Sequence, residues 1–243
     1  IEQSAQIAAL EKDIELLRGE VSKYKDKEHE QFNTRINKLE KWVWGCSAVL
    51  ACVVTVGGII PKFIDIGGGT TEIAVIALDG VVTKETIRVA GDEMDEAIIQ
   101  WFRNEHKLDI GSSTAENIKK SVGSAMRVKS EMIGVKGRDL VSGIPKTIEV
   151  SSDEIRQALK DPINAIVEAV KRALEQTPPE LSADILDRGI IMTGGGSMLK
   201  GIDQLIRERT NVPVNIAEEP LLSVVRGTGK VLEDVKKYES VLI

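Results

Sequence analysis

The chain has 243 residues and a mass of 26.5 kDa, which leaves room for one large domain or two small ones. A net charge of -6 and a pI near 5.2 argue against non-specific nucleic-acid binding, so no nucleic-acid partner is expected. Its 2 cysteines and 2 isolated histidines are too few for a disulfide framework or a zinc cluster.

The first part of the chain carries an apolar repeat with alternating steps of three and four residues. It consists of Ile7, Leu10, Ile14, Leu17, Val21 and Tyr24. This spacing is typical of the core positions of a coiled coil. The repeat breaks at residues 25–31 and resumes one residue out of phase at Phe32. We predict a self-associating coiled-coil stalk over 1–41; the alternative is an amphipathic helix without a partner.

An uncharged stretch follows, bounded by Lys41 and Lys62. About 20 apolar residues are enough to cross a bilayer, and tryptophans such as Trp42 and Trp44 favour the membrane boundary. We therefore predict one transmembrane helix over 42–61, with a buried core helix as the alternative. Together, the stalk and the span weakly resemble small phage membrane proteins of the haemolysin XhlA type, over residues 1–63.

The pattern then changes to short β-rich runs separated by turns. Residues 63–66 form a short run typical of a buried strand, and Gly67, Gly68 and Gly69 form a turn. A second run from Thr70 closes on an Asp-Gly pair that is typical of a hairpin. Successive glycines let backbone N–H groups approach a phosphate, although a glycine triplet can also be only a tight turn. Asp65 is suited to hold Mg²⁺ through water.

A second glycine turn follows a later β-rich run at 189–193. Gly194, Gly195 and Gly196 precede Ser197 and an apolar helical pattern that includes Met198 and Leu199. A strand, a glycine turn and a helix in this order are typical of nucleotide sites. Two such units in one domain favour nucleotide binding over two unrelated turns.

The motifs around these turns resemble MreB, the bacterial family of the actin, Hsp70 and sugar-kinase superfamily. They are DIGGGTTEIAV (65–75), VAGDEMDEAII (89–99), GRDLVSGIPKTIEV (137–150), TPPEL (177–181), DRGIIMTGGG (187–196) and GTGK (227–230). The resemblance extends over residues 64–238 with the motifs in family order. It implies an α/β, ribonuclease-H-like lobe of the actin/Hsp70 superfamily, with a small inserted subdomain at about 108–150 within a lobe spanning 62–243.

The resemblance also implies a role for each matching residue, with ATP or ADP and Mg²⁺ as cofactors. Asp65 is the residue matched to metal binding. The residues matched to nucleotide binding are Gly67, Gly68, Gly69, Thr70, Glu116, Lys119, Gly194, Gly195, Gly196, Ser197 and Met198. Glu116 and Lys119 lie three residues apart, on one helix face, where an ordinary surface ion pair is the alternative. After Lys119 the sequence departs from the family pattern, so this face of the helix is altered.

The intact superfamily fold has two lobes, and residues 1–62 contain no first phosphate loop. We therefore expect the chain alone to bind ATP weakly and not to hydrolyse it efficiently. The final segment, 221–238, is expected to cover the sheet. The implied function is a membrane-anchored, actin-like lobe related to filament assembly and cell-shape control; the alternative is a phage-type haemolysin or holin accessory protein with a passenger tail.

Membrane location follows from the predicted span. We expect the bacterial inner membrane, with the nucleotide-binding lobe on the cytoplasmic side. The basic residues before the span conflict with this expectation, because they favour export of the C-terminal part. The expected partners are the membrane and further copies of the chain, through the coiled coil and through filament surfaces.

Overall fold

The computed structural model describes residues 62–77 and 80–233. The predicted coiled-coil stalk (1–41) and transmembrane helix (42–61) lie outside the described residues. Among the helices that are described, none combines the length and the apolar composition that a membrane span requires.

This part of the chain contains both strands and helices. The strands are β1 Lys62–Ile66, β2 Thr71–Ala77, β3 Gly80–Ile87, β4 Leu108–Asp109, β5 Met132–Asp139, β6 Pro145–Ser151, β7 Ile190–Thr193 and β8 Val214–Ile216. The helices are α1 Gly91–His106, α2 Ser112–Val122, α3 Ser152–Ala158, α4 Lys160–Glu175, α5 Pro179–Arg188, α6 Ile202–Thr210 and α7 Ser223–Glu233, with a 3₁₀ helix at Gly195–Met198.

The main sheet has five strands in the order β3-β2-β1-β7-β8. The first three strands are antiparallel neighbours, which confirms the β-rich runs and the hairpin predicted around the first glycine turn. β7 lies parallel to β1, and β8 lies parallel to β7. The two central strands β1 and β7 therefore end at the same edge of the sheet.

The first strand begins one residue earlier than the sequence predicts. Lys62, which bounds the uncharged stretch in the sequence, belongs to β1, pairs with Val75 of β2 and is fully buried. Side chains alternate along a strand, so Lys62 shares a face with Ile64 and Ile66. The strand begins at Lys62 because its pairing with β2 extends to this residue.

A second, three-stranded sheet occupies the stretch for which an inserted subdomain is expected. Its order is β4-β5-β6, with antiparallel pairing throughout, and α2 lies between β4 and β5 along the chain. The main core lies between the five-stranded sheet and the helices α1 and α4. Its buried side chains include Ile64, Ile73, Met94, Ile98, Phe102, Ile166 and Val170.

The apolar residues from Ile155 to Val170 have helical spacing, yet the structure divides this stretch into α3 and α4. Pro162 has no N–H to donate to the carbonyl four residues earlier, and its ring would clash there. In the first turn of a new helix a proline is tolerated. The chain therefore ends α3 at Ala158 and begins α4 at Lys160.

Ser151 caps the start of α3. Its Oγ accepts a hydrogen bond from the Glu154 N–H, and the Glu154 carboxylate accepts one from the Ser151 N–H. We expect Ser151→Ala to lower the free energy of unfolding by about 1 kcal/mol in denaturant titrations, because the Glu154 N–H loses the Ser151 Oγ that accepts its hydrogen bond. Ser113→Ala, an exposed position in α2, is the matched control, and an equal loss there would contradict the capping role.

In the final segment, which is expected to cover the sheet, the structure describes α7 as burying one stripe of side chains. The buried residues of α7 are Ser223, Gly227 and Val231, four residues apart on one stripe. This stripe contains mostly small residues, so the larger apolar side chains nearby point outward. Those exposed side chains are Leu221, Leu222, Val225 and Leu232.

Candidate functional site

The two glycine turns predicted separately from the sequence lie side by side. Each turn follows a strand end, and the parallel register pairs Asp65 of β1 with Thr193 of β7. Gly194 has a φ of 81°, and a Cβ there would lie 2.4 Å from the Asp65 Oδ1 and 2.4 Å from the Ile66 carbonyl oxygen. Only glycine allows the two turns to approach this closely.

The first turn is supported from behind by α1. The Gly91 N–H donates to the Gly67 carbonyl (3.2 Å) and the Asp92 N–H to the Gly68 carbonyl (2.8 Å). All described peptides are trans, and the C=O and N–H of a trans peptide point in opposite directions. The N–H groups of Gly68 and Gly69 therefore face away from α1, as donors to a phosphate must.

Two carboxylates lie directly opposite each other beside this turn. Asp65 on β1 pairs with Glu72 on β2, and burial raises the pKa of Asp65. Burial, and to a lesser degree the Asp65 charge, raise the pKa of Glu72 against the opposing effect of Lys84, whose Nζ lies 3.8 Å from its Oε2. Sequence analysis did not select Glu72, although a carboxylate in the apolar strand β2 was a visible signal.

This donor set fits magnesium bound mainly through water and phosphate. Mg²⁺ is usually held by one or two carboxylates plus substrate phosphates rather than by a protein cage. Asp65, beside the outward N–H groups of the first turn, supplies such a carboxylate. Among residues 62–77 and 80–233 there is no cluster of three or more metal-ligating side chains.

The second turn is a 3₁₀ helix rather than the start of an α-helix. The Gly194 N–H donates to the Pro220 carbonyl (2.9 Å), and the buried Ser197 donates its hydroxyl to the Gly194 carbonyl (2.7 Å). Ser197 thus holds the turn, whereas Met198 is exposed at its edge. The helix expected to begin at the turn starts only at Ile202, after Gly201 adopts a φ of +76°.

The helix α2 brings the remaining candidates to the first turn. Lys119 Nζ donates to the Gly91 carbonyl (2.7 Å) and to the Asp95 Oδ2 (2.8 Å), so its ammonium lies beside the residue that supports the turn. Glu116 is exposed and pairs with Lys120 (2.6 Å), not with Lys119. The predicted alternative, a Glu116–Lys119 surface pair, is therefore not what forms.

The end of α2 is also joined to the second turn. The Ala125 N–H donates to the Lys200 carbonyl (2.8 Å), and the Lys200 Nζ donates to the Ser121 carbonyl (2.6 Å). Both glycine turns and α2 therefore border one region of the molecule. Sequence analysis missed Asp95 because its partner lies 24 residues away along the chain.

A mixed five-stranded sheet with two adjacent glycine turns and an inserted three-stranded sheet defines an actin-like α/β lobe. Comparison with solved structures agrees: MreB5 of Spiroplasma citri bound to ADP matches with a TM-score of 0.74 and 36% identity, over 81% of this chain and 60% of that one. The same protein bound to AMPPNP matches equally well over 59% of its chain. The MamK double helical filament shares the fold, with a TM-score of 0.63 and 22% identity, over 78% of this chain and 58% of that one.

The family model for MreB/Mbl protein matches residues 51–240, and the chain belongs to this family. Curated relatives include the cell shape-determining proteins Mbl of Bacillus subtilis, 50% identical over 175 residues, and MreB of Escherichia coli, 50% identical over 176 residues. Each match covers 72% of this chain and 53% or 51% of the relative, so the chain spans about half the length of the curated relatives it matches. A second model, for a coiled-coil region of unknown function, matches residues 1–84.

Proposed function

We propose that this lobe binds an adenine nucleotide with Mg²⁺ at the edge where β1 and β7 end. The observation that carries the proposal is the contact between the two glycine turns, with the Gly68 and Gly69 N–H groups directed away from α1. That arrangement offers backbone donors to phosphate oxygens and a bare backbone surface to the rest of the nucleotide. The solved MreB5 structures with ADP and AMPPNP support the same ligand class.

Each candidate residue has a defined part in this proposal. The turn from Gly67 to Thr70 receives the phosphates, and Asp65 holds Mg²⁺ through water. Glu116 and Lys119 approach the ribose and the base from α2. The turn from Gly194 to Gly196 receives the adenosine, with Met198 at its edge, while Ser197 acts by holding that turn through its hydrogen bond to Gly194.

We extend the proposal to the role of the whole chain: a cytoskeletal lobe that self-associates into actin-like filaments in cell-shape control. The names of the curated relatives and the MamK filament support this role. The proposed organisation is a coiled-coil stalk (1–41), a membrane helix (42–61) and the lobe (62–243), with a small subdomain at about 108–150. The three-stranded sheet and the coiled-coil model matched to 1–84 support parts of this division.

The phage-type alternative has no comparable support. It depended on residues 1–63, nearly all of which lie outside the described residues. The coiled-coil model that matches there carries no known function.

Asp65→Ala tests the nucleotide proposal. We expect the variant to bind ADP with Mg²⁺ about tenfold more weakly or worse in isothermal titration calorimetry, because the carboxylate that orients the hydrated ion is lost. Burial raises the pKa of Asp65, so removing its charge should not destabilise the fold, and a thermal melt checks that.

The matched control is Asp153→Ala, which removes an acid from the start of α3, and its ADP affinity should equal that of the wild type. Sedimentation with and without ATP then tests filament assembly. Unchanged affinity in Asp65→Ala, or an absence of ADP binding by the wild-type chain, would contradict the proposal.

A further inference from the structure

The ion pair between Asp95 and Lys119 joins α1 and α2 beside Gly91, whose N–H donates to the first glycine turn. Asp95 lies in the second turn of α1 and Lys119 in α2, and their side chains are only 14% and 15% exposed. Removing two charges from water is costly, so an ion pair with this little exposure needs an interaction that compensates for the lost hydration. Burial indeed raises the pKa of Asp95 despite the hydrogen bond from Lys119.

The pair is also incompletely satisfied. The Asp95 Oδ2 accepts from Lys119, while the buried Oδ1 has no hydrogen-bond partner. A carboxylate that served only to stabilise the fold would be expected to have both oxygens bonded. The main interaction of the Asp95 carboxylate is therefore its hydrogen-bonded ion pair with the Lys119 ammonium.

The ammonium remains able to bind a ligand. A lysine carries three N–H donors, and the described contacts use two of them, for Gly91 and Asp95. A Cβ placed on Gly91 would lie 3.5 Å from the Lys119 Nζ and 3.4 Å from the carbonyl oxygens of Gly67 and Gly68. The third donor is thus held at a fixed place next to the first glycine turn.

We propose that Asp95 is a positioning residue for nucleotide binding, which fixes the Lys119 ammonium so that its third N–H meets an oxygen of the bound nucleotide. The inference rests on the proposed function, because it needs the nucleotide at this edge. Asp95 itself does not touch the ligand. A free lysine side chain would lose rotamer entropy on binding, and the ion pair removes that cost in advance.

The test measures ADP binding with Mg²⁺ by calorimetry, and stability by thermal melts, on the full chain. We expect Asp95→Asn and Lys119→Met each to weaken ADP binding about tenfold, as loss of a charged hydrogen bond does. The double variant should bind no more weakly than Lys119→Met alone, because both changes remove the same interaction. Lys171→Met, which breaks an exposed pair with Glu168 in α4, should bind ADP like the wild type.

The charge-swapped variant Asp95→Lys with Lys119→Asp separates positioning from a structural role. It should recover melting temperature relative to the single variants but not ADP affinity, because the ammonium now projects from α1. Recovery of both properties would overturn the inference and leave a structural pair. Wild-type affinity in Asp95→Asn would also overturn it, whereas a wild-type chain that does not bind ADP would refute the proposed function as well.

Discussion

Gly194→Ala is expected to lower the free energy of unfolding by about 3–5 kcal/mol, from backbone strain and overpacking together. Gly194 has φ 81° and ψ 165°, a conformation that is essentially restricted to glycine. Its new Cβ would also lie 2.4 Å from both the Asp65 Oδ1 and the Ile66 carbonyl oxygen. Neither neighbour can move freely, because the second belongs to the backbone of the central strand β1.

Alanine variants of two other glycines, measured in urea titrations, separate the cost of backbone strain from the cost of overpacking. Gly143 has φ +75° with no heavy atom within 4 Å of its Cβ position, so Gly143→Ala should cost only the strain, about 1 kcal/mol. Gly134 has neither a positive φ nor a close neighbour, and its alanine variant should stay within about 0.5 kcal/mol of the wild type. Equal losses at all three positions would contradict the close approach of the two turns.

The contact between the two glycine turns shows which parts of the site could be predicted from the sequence and which could not. Glycine triplets after β-rich runs were enough to predict both turns, since the signal for each is local. That the turns touch depends on β1 pairing with β7, whose register joins Asp65 to Thr193, two residues far apart in the sequence. Local patterns contain no information about that pairing.

Side-chain partners were harder to predict than backbone elements. The spacing of Glu116 and Lys119 was correct for one helix face, yet the two side chains do not pair with each other. Glu116 pairs with Lys120, and Lys119 pairs with the half-buried Asp95. Lys120 is one helical turn from Glu116, and Asp95 reaches Lys119 from another helix. The division of α3 from α4 at Pro162 was predictable from the proline alone, whereas the exposure of Leu221 and Val225 was not.

Replacing the buried Lys62 with methionine is expected to stabilise the protein by about 4 kcal/mol at or below neutral pH. Lys62 is fully buried among the side chains of β1, and its Nζ has no hydrogen-bond partner. Burial lowers the pKa of this amine from 10.5 to about 7, against a smaller opposing effect of the Glu85 carboxylate. Methionine has a similar length and needs no solvation.

The pH dependence follows from which state holds the proton. Between pH 7 and 10.5 the unfolded lysine is protonated and the folded one is largely neutral, so wild-type stability should rise with pH across that window. Below pH 7 the folded protein bears the full cost of a buried charge. The advantage of Lys62→Met should therefore be largest at pH 6 and should shrink as pH approaches 10.5.

Loss of Lys62 should not disturb its neighbour, because the Glu85 carboxylate keeps its pair with Arg172 at 2.7 Å. Lys136→Met, at an exposed position in β5, provides the control and should change stability by less than about 0.5 kcal/mol at every pH. Urea titrations at pH 6, 8 and 10 measure both variants. A Lys62→Met protein that is no more stable than the wild type at pH 6 would mean that the ammonium is solvated or paired, and that β1 does not bury it.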